Sequence, residues 1–216
     1  MREEFRNDLK DLKEEVSFMM DKVYDIVDKS INYLMTNDYK KAKSIKGMDD
    51  CIDSYMDDIE EKVVELIALQ QPMAKDLRAL FAISKMVTDL ERIGDFAVNI
   101  AKETINIGQE EHIEPIYYIP KMKVIILDML SELKLSLMNK DVKKAYEIAK
   151  LDENVDMIYK DLYNHILILI NKDSNYINQG TKLLFVGRYL ERMADHITNI
   201  CERIIYIHKG EKVDIN

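Results

Sequence analysis

The sequence predicts an all-α protein, two tandem pseudo-symmetric three-helix bundles with six long helices in all, and three observations carry that expectation. The first is internal repetition. Leu90, Glu91, Arg92, Asp95, Asn99 and Ile100 return one hundred residues later as Leu190, Glu191, Arg192, Asp195, Asn199 and Ile200. An upstream stretch repeats at an offset of 103, with Asp38, Lys40, Lys41, Ala42, Ile45, Asp49 and Asp53 answered by Asp141, Lys143, Lys144, Ala145, Ile148, Asp152 and Asp156. A period this long exceeds a solenoid unit and suits a duplicated small bundle. The second is scarcity of breakers, with 6 Gly and 3 Pro in 216 residues. The third is apolar spacing in steps of three and four, the period of a helix with one buried face.

The elements follow in order from punctuation. The first helix is expected over 6–36. Asn37 and Asp38 make a tight turn, with Asp38 capping a second helix over 38–70. Pro72 then breaks the chain, and a third helix runs over 73–107. Gly108, Pro115 and Pro120 mark a link with a turn of structure in it, so the halves are 1–108 and 120–216, joined by 109–119. The fourth helix is expected over 119–139. Lys140 and Asp141 repeat the capped turn before the fifth, 141–171, and the polar run Lys172 to Asn175 precedes the sixth, 174–208. Most are about 30 residues and 45 Å long. Ile83, Met86, Leu90, Ile93, Ala97 and Ile100 make one seam, and Leu183, Val186, Leu190, Met193, Ile197, Ile200 and Ile204 make its partner in the same phase. Ile45, Met48, Ile52, Ile59, Val63 and Leu66 are matched by Ile148, Leu151, Val155, Ile158, Leu162 and Leu169. Such seams belong to helices packed nearly antiparallel, with the 13 Met filling gaps in them.

Composition narrows the function classes. A net charge of −9 disfavours nucleic acid as the main partner, and leaves a membrane protein open as one, since a basic patch of the chain could still face it. Cys51 and Cys201 have no metal-type spacing, which suits a reducing compartment. The opening residues from Met1 to Phe5 do not read as a secretory signal, and the run Ile166 to Ile170 is too short to span a bilayer. A cytoplasmic protein, at most peripheral to a membrane, is expected.

The chemistry-bearing residues are carboxylates. Residues four apart share a helical face, so Asp49 with Asp53, and Glu91 with Asp95, are local acidic pairs. Folding the second and third helices about Pro72 places these pairs opposite one another, because Asp53 and Glu91, like Asp49 and Asp95, are equidistant from Pro72. Asp152, Asp156, Glu191 and Asp195 are centred in the same way between Asp173 and Ser174. Each hairpin thus gathers four acids about 28 Å from its turn. Helical wheels put Glu91 and Asp95 well over 90° from the centre of their apolar seam and Asp49 and Asp53 on the flank of theirs, so the cluster is expected on or near the surface. A solvated acidic face is one reading. Like charges at this spacing repel, however, and hard oxygen ligands at this density suit divalent or trivalent cations.

Other residues read as support. His196 adjoins Asp195, but its counterpart is Phe96, which favours packing over ligation. His112, His165 and His208 read as structural. Arg92 and Arg192 are expected in surface ion pairs, and Asn99 and Asn199 as auxiliary ligands. No His follows a Glu by three residues, so the ligand pair of ferritin-like di-iron oxidases is missing. No phosphate loop, nucleophile elbow or Cys/His pair stands in the chain.

These residues carry a family resemblance. Leu90-Glu91-Arg92-Ile93-Gly94-Asp95, with Ala97, Asn99, Ile100 and Ala101, preceded by Gln71, Pro72, Met73, Ala74, Asp76, Leu77 and Arg78, resembles the signature of the PhoU family of phosphate-uptake regulators. Tyr189 to Arg192 with Asp195, His196, Asn199 and Ile200 is similar to that family's second repeat, and the similarity spans essentially the whole chain. The resemblance implies two three-helix bundles whose acidic motifs hold multinuclear metal clusters, iron or zinc, one per bundle. It implies a homodimer with no enzymatic activity, and a negative regulator coupling the ATPase subunit of a phosphate ABC transporter to a sensor histidine kinase, with membrane contact only through those partners. An accessory role for a low-affinity phosphate transporter is the alternative, and a carboxylate-bridged metalloenzyme the alternative from another class. Two departures stand out. Met193-Ala194 replaces Ile-Gly in the second repeat, and the segment from Gln71 to Arg78 has no second copy, so a partner surface there is expected once. The sites are pictured end to end along an acidic rod.

Overall fold

The computed structural model describes the backbone of residues 2–215 and the side chains of 4–215; Met1 and Asn216, the outer bounds of the expected halves, lie outside the described residues. Eight α-helices cover most of the chain: α1 (Arg2–Met35), α2 (Tyr39–Ala42), α3 (Ile45–Gln70), α4 (Ala74–Ile107), α5 (Tyr118–Asn139), α6 (Val142–Ala149), α7 (Asp152–Lys172) and α8 (Ile177–Lys209). Short 3₁₀ turns at Glu114–Tyr117 and Ser174–Tyr176 complete it, and the described residues contain no strand. The expected second and fifth helices are each interrupted once, at Lys43–Ser44 and Lys150–Leu151. The six long rods survive as α1, α2 with α3, α4, α5, α6 with α7, and α8.

The turns use the chemistry that the sequence announces. Asn37 and Lys140 adopt left-handed backbone at φ 52° and 58°. Asp38 then accepts the Lys41 N–H, and Asp141 the Lys144 N–H, both at 3.0 Å. One capping device is therefore repeated in the two halves, each cap worth about 1 kcal/mol. Gln71, left-handed at φ 44°, ends α3 just ahead of Pro72, and Pro115 opens the first 3₁₀ turn.

α1, α3 and α4 pack as one bundle, and α5, α6, α7 and α8 as the other. They meet chiefly along α4 and α8. Those two helices run antiparallel. Asp89 meets His196 at 2.8 Å, and the Phe96 and Tyr189 rings stack with centroids 6.0 Å apart. α1 and α5 also run antiparallel, tied by Lys123 to Asp28 at 2.6 Å and Lys134 to Asp21 at 2.7 Å. The predicted seam residues of α4 and α8 are all buried, those of the other two seams are buried except for the half-buried Met48, Leu66, Leu151, Ile158 and Leu169, and the two bundles share one continuous apolar core. α4 is buried beyond its predicted seam, at Ala79, Ala82, Val87 and Val98, because α1, α3 and α8 all pack on it.

This arrangement corrects the end-to-end picture. With α4 and α8 antiparallel, Glu91 and Glu191 differ by only about three residues in height along the seam, roughly 5 Å. The two acidic sites lie side by side, one on each bundle. The single-copy segment is altered too. Leu77 is exposed as expected, but Arg78 turns back against Gly210 at the end of α8.

Candidate metal centres

Each site is built by one helical hairpin. α3 carries Asp49 and Asp53 up one side, and α4 carries Glu91 and Asp95 down the other. α7 and α8 do the same for Asp152, Asp156, Glu191 and Asp195. The equidistance about the turns holds in the electrostatics. Asp53 and Asp95 both act on Asp49, while Asp95, Asp53 and Asp49 act on Glu91. Asp195, Asp156 and Glu191 all act on Asp152. All eight sequence-predicted residues are thereby brought together, four in each half.

The sites have more depth than the wheels suggest. Asp49 is 1% exposed and Asp152 6%, so a carboxylate floors each site. The Glu91 and Glu191 side chains are 15% and 13% exposed. Asp95 and Asp156 form the open rim. Asp49 reaches its depth because Gly94 faces it: a Cβ on Gly94 would lie 2.8 Å from Asp49 Oδ1. In the second half Ala194 occupies the equivalent place and is itself fully buried.

Burial and mutual repulsion act in the same direction. Asp152 is pushed up to about 7, first by desolvation and then by Asp195, Asp156 and Glu191. Asp49, Glu91 and Glu191 are raised as well, with burial the largest cause in each. Asp156 is raised by partial desolvation and then by Asp195. A carboxyl group held above its ordinary range lacks a sufficient counter-charge.

The cations present satisfy the rim more than the floor. Arg92 reaches Asp95 at 2.9 Å and Glu91 at 3.5 Å. Arg192 reaches Asp195 at 3.2 Å, and Arg188 reaches Glu191 at 2.5 Å. Lys46 holds Asp49 Oδ2 at 3.1 Å and Asp50 at 3.0 Å. The pairs of Arg92 and Arg192 are those expected; Lys46 and Arg188 are not, although each stands three residues before an acid it binds. Three buried oxygens still have no hydrogen-bond partner: Asp49 Oδ1, Asp152 Oδ1 and Glu191 Oε2. Each such oxygen costs about 1–3 kcal/mol.

Those orphaned oxygens are what a cation would bind, and the all-oxygen donor set suits a hard or borderline ion. Among the described residues, no three His, Cys, Asp or Glu side chains already converge as a ready-made metal group. A bound cation would require rim side chains to rotate away from their arginines, on helix backbones that already stand in register.

The remaining candidates are engaged elsewhere. His196 Nδ1 bonds Asp89 Oδ1 at 2.8 Å across the seam, and its ring lies 5.7 Å from Phe96. Asn199 donates to Asp89 at 3.4 Å, and Asn99 accepts from Lys102 at 3.2 Å, so neither is free to act as an auxiliary ligand as placed. His112 Nε2 pairs with the Leu34 carbonyl at 2.7 Å, and His165 packs edge-on to Tyr118.

Comparison with known proteins places this architecture. A family model described as the PhoU domain matches twice, at residues 16–104 and 119–204. A phosphate-specific transport system accessory protein PhoU homolog of Clostridium acetobutylicum is 39% identical, over 98% of this chain and 97% of that protein. The homolog of the same description in Aquifex aeolicus is 35% identical, over 95% and 93%. Among solved structures, PhoU from Pseudomonas aeruginosa superposes with a TM-score of 0.92 at 30% identity, over 96% of this chain and 100% of that one. The phosphate transport system regulatory protein PhoU from Streptococcus pneumoniae gives 0.91 at 33%, over 97% and 99%.

Proposed function

The chain belongs to the PhoU family, and from that premise we propose that it is a metal-loaded accessory protein of a phosphate transport system that holds the phosphate-starvation response off when phosphate is plentiful. Its accessory role in phosphate transport rests on relatives that match it from end to end. The observation that carries the metal is the pair of acid-floored sites, where Asp49, Asp152 and Glu191 keep buried oxygens without donors. Asp49, Asp53, Glu91 and Asp95 would hold one cluster, and Asp152, Asp156, Glu191 and Asp195 the other, with iron or zinc as the favoured ions. Bound cations would neutralise the acids and pin α3 to α4 and α7 to α8. The role assigned to them is to set the shape of a docking surface. No helix among the described residues is long and apolar enough to cross a membrane. The partners assigned in this reading are the ATPase subunit of the transporter and a sensor histidine kinase.

Deletion tests the regulatory half of this reading. Phosphate-starvation genes should switch on in phosphate-rich medium when the chain is absent, and return to repression on complementation. Normal repression in the deletion strain would contradict the regulator and favour an accessory of a low-affinity phosphate transporter. Pull-down of the ATPase subunit or kinase should weaken on Asp76→Ala, which alters the single-copy segment.

A further inference from the structure

Outside the acidic sites, basic residues converge where the end of α8 meets the start of α4. The antiparallel α4–α8 register brings His208 level with Leu77, one residue from Arg78. A Cβ added at Gly210 would lie 3.3 Å from the Arg78 guanidinium carbon, so that group sits on the closing turn of α8. The antiparallel α1–α5 register, set by Lys134 with Asp21 and Lys123 with Asp28, carries Lys140 to the height of residues 11–15, where its charge acts on Lys13. Lys75 stands exposed on the first turn of α4.

These cations lack counter-charges. None of Lys13, Lys75, Arg78 or Lys140 pairs with a carboxylate among the described residues, and the buried Arg78 Nε has no acceptor. Every charge acting on His208 is positive, from Lys13, Lys140 and Lys75, and together with burial they lower its affinity for a proton. Lys13, half-buried, is lowered in the same way, by burial and by Lys140. A helix-capping role accounts for part of this. α5 and α8 both end here, and each helix end supplies about half a negative charge. The start of α4 adds about half a positive charge, so the helix ends together offset only a small part of the charge of Lys13, Lys75, Arg78 and Lys140 in a protein of net charge −9.

We propose that this cluster of Lys13, Lys75, Arg78, Lys140 and His208 is an anion site for a phosphate-type dianion, either free or as a small ester. Arg78 supplies the planar fork that pairs with phosphate oxygens, and the lysines supply point charges around it. The site is independent of the metal reading. His208 is 13 residues beyond Asp195 on α8, about 20 Å from the second acidic site.

The test reads His208 directly. Inorganic phosphate is titrated into the full chain while the four histidine imidazole resonances are followed by NMR. His208 should shift saturably and become easier to protonate, with the other three unmoved. Lys75→Ala, an exposed change that leaves the packing intact, should weaken binding about five- to tenfold, and Arg78→Gln by at least as much. Glycerol 3-phosphate used in parallel distinguishes an ester from free phosphate as the better occupant. A His208 signal unmoved by both anions would overturn the proposal, as would equal affinity in wild type and Lys75→Ala.

Discussion

Replacing Asp152 by Asn should stabilise the metal-free protein at neutral pH and stop metal from stabilising the second site. Asp152 is 6% exposed, one of its oxygens has no donor, and its folded-state pKa is raised from 3.8 to about 7. The sign follows from linkage. A carboxyl raised in the folded state binds protons more tightly there than in the unfolded chain, so its contribution is favourable below about pH 4. That contribution is lost progressively as pH rises through about 7. At about 1.4 kcal/mol per pH unit the full penalty is on the order of 4 kcal/mol. Solvent access from the rim and imperfect pairing of the new amide reduce the expected gain to about 2 kcal/mol at pH 8. For a chain of this length that is about 4–8 °C in Tm. The assay is thermal unfolding followed by circular dichroism, after dialysis against a chelator, at pH 8 and pH 5. Asp152→Asn should melt higher at pH 8 and gain roughly a third as much at pH 5. Adding iron or zinc should then favour the wild type, since only it binds the ion at that floor. Destabilisation by Asn at pH 8, or an equal gain at both pH values, would refute the reasoning.

Gly94→Ala should displace Asp49 Oδ1, 2.8 Å from the new Cβ, toward the arrangement that Ala194 imposes in the second half; titration of metal into chelated protein should show weaker binding at the first site and none lost at the second, with the helical spectrum retained. His196→Phe, which copies Phe96, should keep both metal sites and lose about 1–3 kcal/mol by leaving Asp89 only the longer bond from Asn199 at the seam, as read by urea denaturation. Leu190→Ala, fully buried in α8, should cost about 2–5 kcal/mol in the same assay with no loss of metal per folded chain.

The helices, their caps and the grouping of the acids were legible because each depends on local spacing. Asp38 and Asp141 announce their turns, Pro72 fixes one hairpin, and equal distances from it pair Asp53 with Glu91. The placement of the two bundles was not legible. Their seam is written in Asp89, Phe96, Tyr189 and His196, which read as polar or half-polar positions and acquire meaning only when α4 meets α8. The depth of Asp49 was hidden for a related reason: Gly94 has no side chain, and the room it leaves on α4 is filled by a residue on α3. The interruptions at Lys43–Ser44 and Lys150–Leu151 carry no Gly or Pro to announce them. The basic cluster was scattered through the chain at Lys13, Lys75, Arg78, Lys140 and His208, so no window of sequence contained it.

Metal content tests the central claim most directly. Protein purified without added metal is analysed for iron and zinc per chain in the wild type, in Glu91→Ala/Asp95→Ala, in Glu191→Ala/Asp195→Ala and in the variant combining all four changes. Two independent sites predict a loss of about one cluster in each double variant and of both in the combination, with helical content unchanged. Equal metal content in the wild type and both double variants would contradict the account and make the eight carboxylates a solvated acidic face.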